Sequence, residues 1–116
     1  MSTNTTTTIA LLQGRGYKDA AAAIAATERQ IAAAAARGAR IICTQELFLT
    51  EYFCRVQDQA HFALAESIPG PSTEHFGAIA RKLGVVLILS LFERRAPGLY
   101  HNTAVVIDAD GSVAGM

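Results

Sequence analysis

The first half of the chain alternates between short apolar runs and one long alanine-rich segment. The apolar run within residues 8–13 predicts a strand that stops at a glycine turn. The alanine-rich segment predicts a helix that begins at Asp19, whose side chain can cap the first turn, and runs to about Arg37. A second apolar run, residues 40–44, lacks polar alternation, which is typical of a strand covered on both faces. This order predicts a parallel βαβ unit with a right-handed crossover.

The middle of the chain carries helical patterns on both sides of a proline-rich segment. Residues 55–67 are weakly helical, and the prolines that follow end the pattern. A second helix is predicted to be capped by Ser72 or Thr73 and to reach Leu83. From Phe76 onwards its apolar side chains recur at i, i+3, i+4 and i+7, which indicates an amphipathic helix with one face on a core.

The last third of the chain is predicted to consist mainly of strands. Residues 85–92 are apolar on both faces except at Ser90, which predicts a strand in the centre of a sheet. Residues 93–98 are predicted to be a polar loop, and residues 103–107 a fourth strand. The turn signal at residues 108–111 indicates that this strand is followed by an antiparallel return. Together the elements predict the α/β class.

Composition and charge narrow the possible functions. The 116 residues are 51% apolar and 17% charged, which is enough for one small core. Ten basic and ten acidic side chains give a formal charge of zero, so neither nucleic acid nor a membrane surface is an expected partner. No run approaches the roughly 20 apolar residues of a membrane span. The polar residues 1–7, expected to form a flexible tail, do not resemble a secretory signal. With only two cysteines, a cytoplasmic location is the expectation.

A carboxylate follows the second predicted strand. Glu46 lies just past the carboxyl end of that strand, where ligands bind in open α/β sheets. A carboxylate that is removed from water has a raised pKa and can accept a proton near neutral pH. We therefore expect a desolvated, catalytic Glu46. The alternative that the residues leave open is a solvated loop carboxylate.

Several segments resemble the nitrilase, or carbon-nitrogen hydrolase, superfamily in their order and spacing. They are QELF at 45–48 with YFC at 52–54, IPGPST at 68–73, LGVV at 83–86, SLFE at 90–93, and YHNT at 100–103 leading to IDADG at 107–111. Within the superfamily the likeness is greatest to N-carbamoylputrescine amidases and β-ureidopropionases. The resemblance covers residues 8–116 and implies the amino-terminal half of a nitrilase-like α-β-β-α sandwich, an incomplete domain whose sheet expects further elements on its second face.

The resemblance also implies an activity. Members of the family use a glutamate, a lysine and a cysteine together, and the glutamate matches Glu46. The cysteine would be the nucleophile, the carboxylate its base, and the lysine the donor to the developing oxyanion. The implied reaction is hydrolysis of an N-carbamoyl amine of polyamine metabolism, with no cofactor, in a homo-oligomeric complete protein. The family's lysine and cysteine would lie beyond Met116, so the 116 residues alone are predicted to be inactive.

Two further residues are candidates for the substrate site. Tyr52 matches a position that lines the substrate pocket, and an aromatic that only packs the loop is an equally open alternative. Asn102 is assigned to substrate binding, with a structural role beside Glu46 as its alternative. Cys43 lies within an apolar strand and is interpreted as a small buried core residue. Cys54 is interpreted as structural, because no histidine or lysine is spaced to activate it. The three histidines lack metal-ligand spacing, so no metal site is predicted.

A second class of function stays open. The chain could be a non-catalytic α/β module, or an inactive fragment, that associates with partners through an exposed apolar sheet edge. In that case Glu46 would be incidental.

Overall fold

The computed structural model describes residues 5–116. Residues 1–4 of the predicted tail lie outside this range, and residues 5–7 are exposed and have no regular secondary structure. The elements in chain order are β1 (Ile9–Leu11), α1 (Ala20–Ala36), β2 (Ile41–Cys43), the 3-10 segments Phe53–Arg55 and Gln59–Leu64, α2 (Pro71–Leu83), β3 (Val86–Ala96), β4 (Leu99–Ile107) and β5 (Val113–Gly115). All predicted strands and both main helices are therefore present, and the weak helical pattern of residues 55–67 corresponds to 3-10 turns.

The five strands form one sheet in the order of the sequence, β1-β2-β3-β4-β5. β1, β2 and β3 are parallel, whereas β3–β4 and β4–β5 are antiparallel pairs. The predicted βαβ unit, the central position of β3 and the antiparallel return after residues 108–111 are confirmed.

The helix ends show how local chemistry fixes the element boundaries. Asp19 caps α1 as predicted, because its side chain accepts a hydrogen bond from the backbone N–H of Ala21 at 2.9 Å. The predicted cap of α2 is wrong: Gly70 is the cap residue and Pro71 is the first helical residue. Proline suits this position because it lacks the N–H that would be unpaired there. The hydroxyl of Thr73 instead reaches back and accepts from the N–H of Gly70 at 2.8 Å.

β3 and β4 extend further than the apolar pattern predicts. Residues 93–96, predicted to be a polar loop, continue β3, and β4 already begins at Leu99. Glu93 lies inside this hairpin with 1% of its surface exposed. It accepts two hydrogen bonds from Arg95, both at 2.9 Å, and one from the Thr103 hydroxyl at 2.7 Å. These partners allow a charged residue to occupy a strand position that the pattern assigned to a loop.

The two faces of the sheet differ in cover. Both helices lie on one face, where the core contains Ile31 of α1, Phe76 of α2 and Leu89 of β3, all fully buried. The opposite face, which we call the open face, carries apolar side chains that are only partly buried or exposed within the described residues. Its rows follow the strand register and consist of Ile9, Ile41 and Val86, then Leu11, Cys43, Ile88 and Val106, then Ser90 and Ala104, then Phe92 and Asn102.

The open face corrects one sequence expectation. β2 was predicted to be covered on both faces, but only Ile42 is buried, while Ile41 and Cys43 on the open face are partly exposed. Cys43 is accordingly not the fully buried core thiol that its apolar context predicts. Across residues 5–116, no helix combines the length and the apolar character that crossing a membrane requires.

Candidate active site

The turn after β2 carries Glu46, and side-chain hydrogen bonds attach this turn to β3. The backbone N–H of Ser90 donates to the Thr44 hydroxyl at 3.1 Å, and the Ser90 hydroxyl accepts from the backbone N–H of Leu47 at 2.9 Å. The N–H of Thr44 also donates to the carbonyl of Ile88 at 3.0 Å, which continues the β2–β3 pairing by one residue. The backbone on both sides of Glu46 is therefore held to the central strand.

The residue after Glu46 has an unusual backbone conformation. Leu47 has a φ of +49°, and it is the one non-glycine residue with positive φ in the described part of the chain. A branched side chain is costly in this region, so surrounding contacts must hold it there. Leu47 and Phe48 are each only 3% exposed, and the Phe48 ring packs edge-on against Phe76 with 5.4 Å between centroids. This burial, together with the bond to Ser90, fixes the direction in which the preceding side chain leaves the turn.

Glu46 itself projects into solvent. Its side chain is exposed, which contradicts the expectation of a desolvated carboxylate at a buried strand end. The physical reason is the open face: among the described residues, no second layer lies over this edge of the sheet. Glu46 is nevertheless not isolated, because the Asn102 side-chain amide donates to its Oε1 at 2.6 Å.

Tyr52 lies near this carboxylate. The negative charge of Glu46 is the main cause that raises the pKa of the Tyr52 hydroxyl, and the Cys54 thiol adds to the effect. Tyr52 is 48% exposed and lines a cleft of about 200 Å³ together with Lys18, Glu51 and Arg55. The three residues proposed from the sequence are therefore linked through Glu46: Asn102 contacts it directly, and Tyr52 is close enough to respond to its charge.

An aromatic cluster adjoins the site on the open face. Phe92, which pairs with Asn102 across β3 and β4, packs on Phe53 with 4.8 Å between ring centroids. Phe62 extends the cluster by packing on Tyr100 at 4.5 Å. Phe53, Phe62 and Phe92 line a second cleft of about 450 Å³, and the exposed Cys54 lies on its wall. The aromatics of the two 3-10 segments thus provide apolar surface next to Glu46 rather than filling the core.

Residues 5–116 contain no cluster of three or more histidine, cysteine, aspartate or glutamate side chains that could hold a metal ion. His101, which precedes the predicted fourth strand, lies within β4, and its Nε2 is buried without a hydrogen-bond partner. Lys18 and Lys82 are both exposed.

The features that sequence reasoning missed are those that hold the turn. A positive φ at a leucine has no sequence signal. Ser90 did have one, since it is the single hydroxyl in an otherwise apolar strand. A lone hydroxyl there needs a partner, and the loop that follows the neighbouring strand supplies it.

This is an α/β protein that presents a carboxylate at the carboxyl end of a parallel strand, beside a cleft. The model of the carbon-nitrogen hydrolase family matches residues 8–116, and the chain belongs to that family. The resemblance inferred from the sequence and the predicted fold class are both confirmed.

Known relatives place the chain within the family. An N-carbamoylputrescine amidase from Solanum lycopersicum is 39% identical over 114 residues, which are 97% of this chain and 38% of that protein. A citrullinase from Francisella tularensis is 40% identical over 94 residues, or 80% of this chain and 32% of that protein. A crystal structure of a carbon-nitrogen hydrolase from Helicobacter pylori G27 superimposes with a TM-score of 0.85 at 38% identity, covering 91% of this chain and 37% of that one. The chain spans less than two fifths of the length of these relatives.

Proposed function

We propose that the protein to which this chain contributes hydrolyses the carbon-nitrogen bond of an N-carbamoyl amine, and that Glu46 is its general base. The observation that carries the proposal is the place of Glu46, on a turn fastened to β3, with its carboxylate hydrogen-bonded to Asn102. Two of the relatives act, by their names, on N-carbamoylputrescine and on citrulline. Both substrates are amines that carry a terminal carbamoyl group, which supports this substrate class.

The proposed chemistry needs a thiol and an ammonium in addition to the carboxylate. Glu46 would accept the proton of a cysteine thiol, and the thiolate sulfur would attack the carbamoyl carbon. Return of this proton from Glu46 to the terminal nitrogen would allow that carbon-nitrogen bond to break, releasing ammonia and leaving an S-carbamoyl (thiocarbamate) intermediate on the cysteine. Water would then break the carbon-sulfur bond, and the resulting carbamic acid would lose carbon dioxide to give the amine. A lysine would donate to the oxyanion that develops at each step. We assign this lysine and this cysteine to the part of the family domain outside the 116 residues.

The exposure of Glu46 is consistent with this division of the site. A carboxylate in bulk water is a weak base, because solvation favours its ionised form. The remaining part of the domain would cover the open face and remove the carboxylate from water. The 116-residue chain by itself is therefore expected to release no ammonia from N-carbamoylputrescine.

The test is the substitution Glu46→Gln in the product of the complete reading frame that carries this sequence. Ammonia release from N-carbamoylputrescine, citrulline and β-ureidopropionate would be measured at saturating substrate. We expect kcat to fall at least about 100-fold, as on loss of a general base, with KM little changed. The matched control is Glu74→Gln, which makes the same change at an exposed carboxylate of α2 that lines neither cleft, and which should retain wild-type kcat. Turnover that survives Glu46→Gln would refute the assignment.

The uncovered apolar face favours one alternative, a non-catalytic α/β module that associates with a partner. In that case the product of the complete reading frame would release no ammonia from any of the three substrates, while the chain would still form a stable complex through the open face.

A further inference from the structure

Asn102 lies in the middle of β4, and its side chain faces the same way as the exposed carboxylate. It pairs with Phe92 on β3, whereas its neighbours His101 and Thr103 face the helices, where both are at least partly buried. The strand register therefore sets the position of the amide on the open face. Because β4 is bonded along its length to the central strand, this position is rigid compared with that of a loop residue.

The side-chain amide of Asn102 bonds to one oxygen of the Glu46 carboxylate. Nδ2 of Asn102 donates a hydrogen bond to Oε1 of Glu46 at 2.6 Å. This contact joins residues 56 positions apart. Within residues 5–116 it is the one side-chain hydrogen bond that the Glu46 carboxylate makes. Oε2 is thereby left as the oxygen available to a proton donor.

The backbone of Glu46 is fixed independently of this bond. The N–H of Leu47 donates to Ser90, and Leu47 itself is buried. The side chain between these two anchors has three rotatable bonds and is exposed, so without a partner it would sample several rotamers. The bond to Asn102 removes that freedom at the end of the side chain that would do the chemistry.

We propose that Asn102 is a positioning residue, which holds the Glu46 carboxylate in a single orientation with Oε2 free to accept a proton, and that it is not a substrate-binding residue. The proposal rests on the proposed function for its catalytic consequence, and on the Asn102–Glu46 contact for its geometry.

The test uses Asn102→Ala and Asn102→Asp in the product of the complete reading frame. For Asn102→Ala we expect kcat to fall on the order of 10- to 100-fold, the effect of losing one hydrogen bond to a charged group, with KM unchanged. Asn102→Asp keeps the shape of the side chain but replaces the donor with a like charge, so the fall in kcat should be larger. Glu74→Ala, which truncates an exposed side chain of α2 that lines neither cleft, is the control and should match the wild type.

A rise in KM with kcat unchanged would overturn the proposal, because it would show that the amide contacts the substrate. Wild-type values in both variants would overturn it as well. A second measurement does not depend on activity: the side-chain amide proton signals of Asn102 in ¹⁵N-resolved spectra should shift on Glu46→Gln. If the wild type released no ammonia, the proposed function would fail, while this signal would still decide the positioning contact. An amide signal that does not respond to Glu46→Gln would refute the contact itself.

Discussion

At the scale of single residues, Glu93 and Glu66 are two carboxylates that the fold affects in opposite directions. Hydrogen bonds from Arg95 and Thr103 lower the pKa of Glu93 below its ordinary value of 4.5. Burial raises the pKa of Glu66, and hydrogen bonding to Ser72 offsets this only in part. One oxygen of Glu66 is buried without a partner. The fold therefore favours the ionised form of the first carboxylate and disfavours that of the second.

The two carboxylates predict opposite pH dependences of stability. Glu93 stabilises the fold above its ordinary pKa, and this contribution is lost as the pH falls through its lowered value. The ionised form of Glu66 destabilises the fold, so stability is lost as the pH rises from its ordinary pKa through its raised value. We expect Glu93→Gln to lower the free energy of unfolding at neutral pH and to weaken its acid dependence. Glu66→Gln should raise that free energy at neutral pH.

Urea unfolding between about pH 3 and pH 7 would check both variants under matched conditions. Each variant serves as the control of the other, because both remove one carboxylate from the region where residue 66 pairs with β3. If the free energy of unfolding at neutral pH changed in the same direction in both variants, the opposite effects assigned to Glu93 and Glu66 would be contradicted.

At the scale of elements, α2 approaches the turn between β4 and β5 closely enough to exclude a side chain. A Cβ built on Gly77 of α2 would lie 2.6 Å from the carbonyl oxygen of Gly111. A Cβ on Gly111 would lie equally close to the carbonyl oxygen of Gly77, and Gly111 also has a φ of +90°. The backbone of α2 therefore contacts the backbone of the β4–β5 turn directly. This contact sets how α2 packs across β3 and β4.

Gly77→Ala should therefore destabilise the fold in spite of the higher helix propensity of alanine. We expect the free energy of unfolding to fall by about 1–3 kcal/mol, the usual cost of overpacking, because the backbone of the turn must move. Gly115→Ala is the matched control, since a Cβ there meets nothing within 4 Å. Urea denaturation of the two variants measures the difference. Equal free energies of unfolding for Gly77→Ala and Gly115→Ala would contradict this prediction, because they would show that the backbone of the turn can move without loss of stability.

At the scale of the whole molecule, the sheet has one covered face and one open face. Leu11 is 78% exposed and Ile9 is 60% exposed, and both belong to apolar rows that cross β2 and β3. Contiguous apolar surface of this kind is characteristic of an interaction site or an aggregation site. A sheet with one open face fits the amino-terminal part of a nitrilase-like sandwich.

The open face predicts the behaviour of the 116-residue chain in solution. We expect the chain to bind a hydrophobic dye and to sediment as a species larger than a monomer, because association covers the apolar rows. Leu11→Lys should reduce both signals, since a charge in these rows opposes association. Leu99→Lys is the control, because Leu99 is 46% exposed but lies at the tip of the β3–β4 hairpin, on the opposite side of β4. A compact monomer with cooperative unfolding would contradict this expectation.

The sequence by itself determined those features that depend on neighbours in the chain. The alanine-rich composition and the cap at Asp19 specify α1, Gly84 in its left-handed conformation ends α2, and the apolar runs identify the strands. Order and spacing of short motifs sufficed for the family and for the position of Glu46 at a strand end. Helix propensity, capping and hydrophobic periodicity act over a few residues, so they can be predicted from a linear pattern.

Only the tertiary structure decided what surrounds Glu46. The bond from Asn102 spans 56 positions, and that from Leu47 to Ser90 spans 43, so both exist only after β2, β3 and β4 have paired. The pairing of β3 with β4 also brings Thr103 to Glu93. It makes residues 93–96, which have a polar pattern, part of a strand. The exposure of Glu46 depends on what covers the open face, which no local pattern encodes. Contacts between distant segments are set by strand register and packing, and these are properties of the assembled sheet.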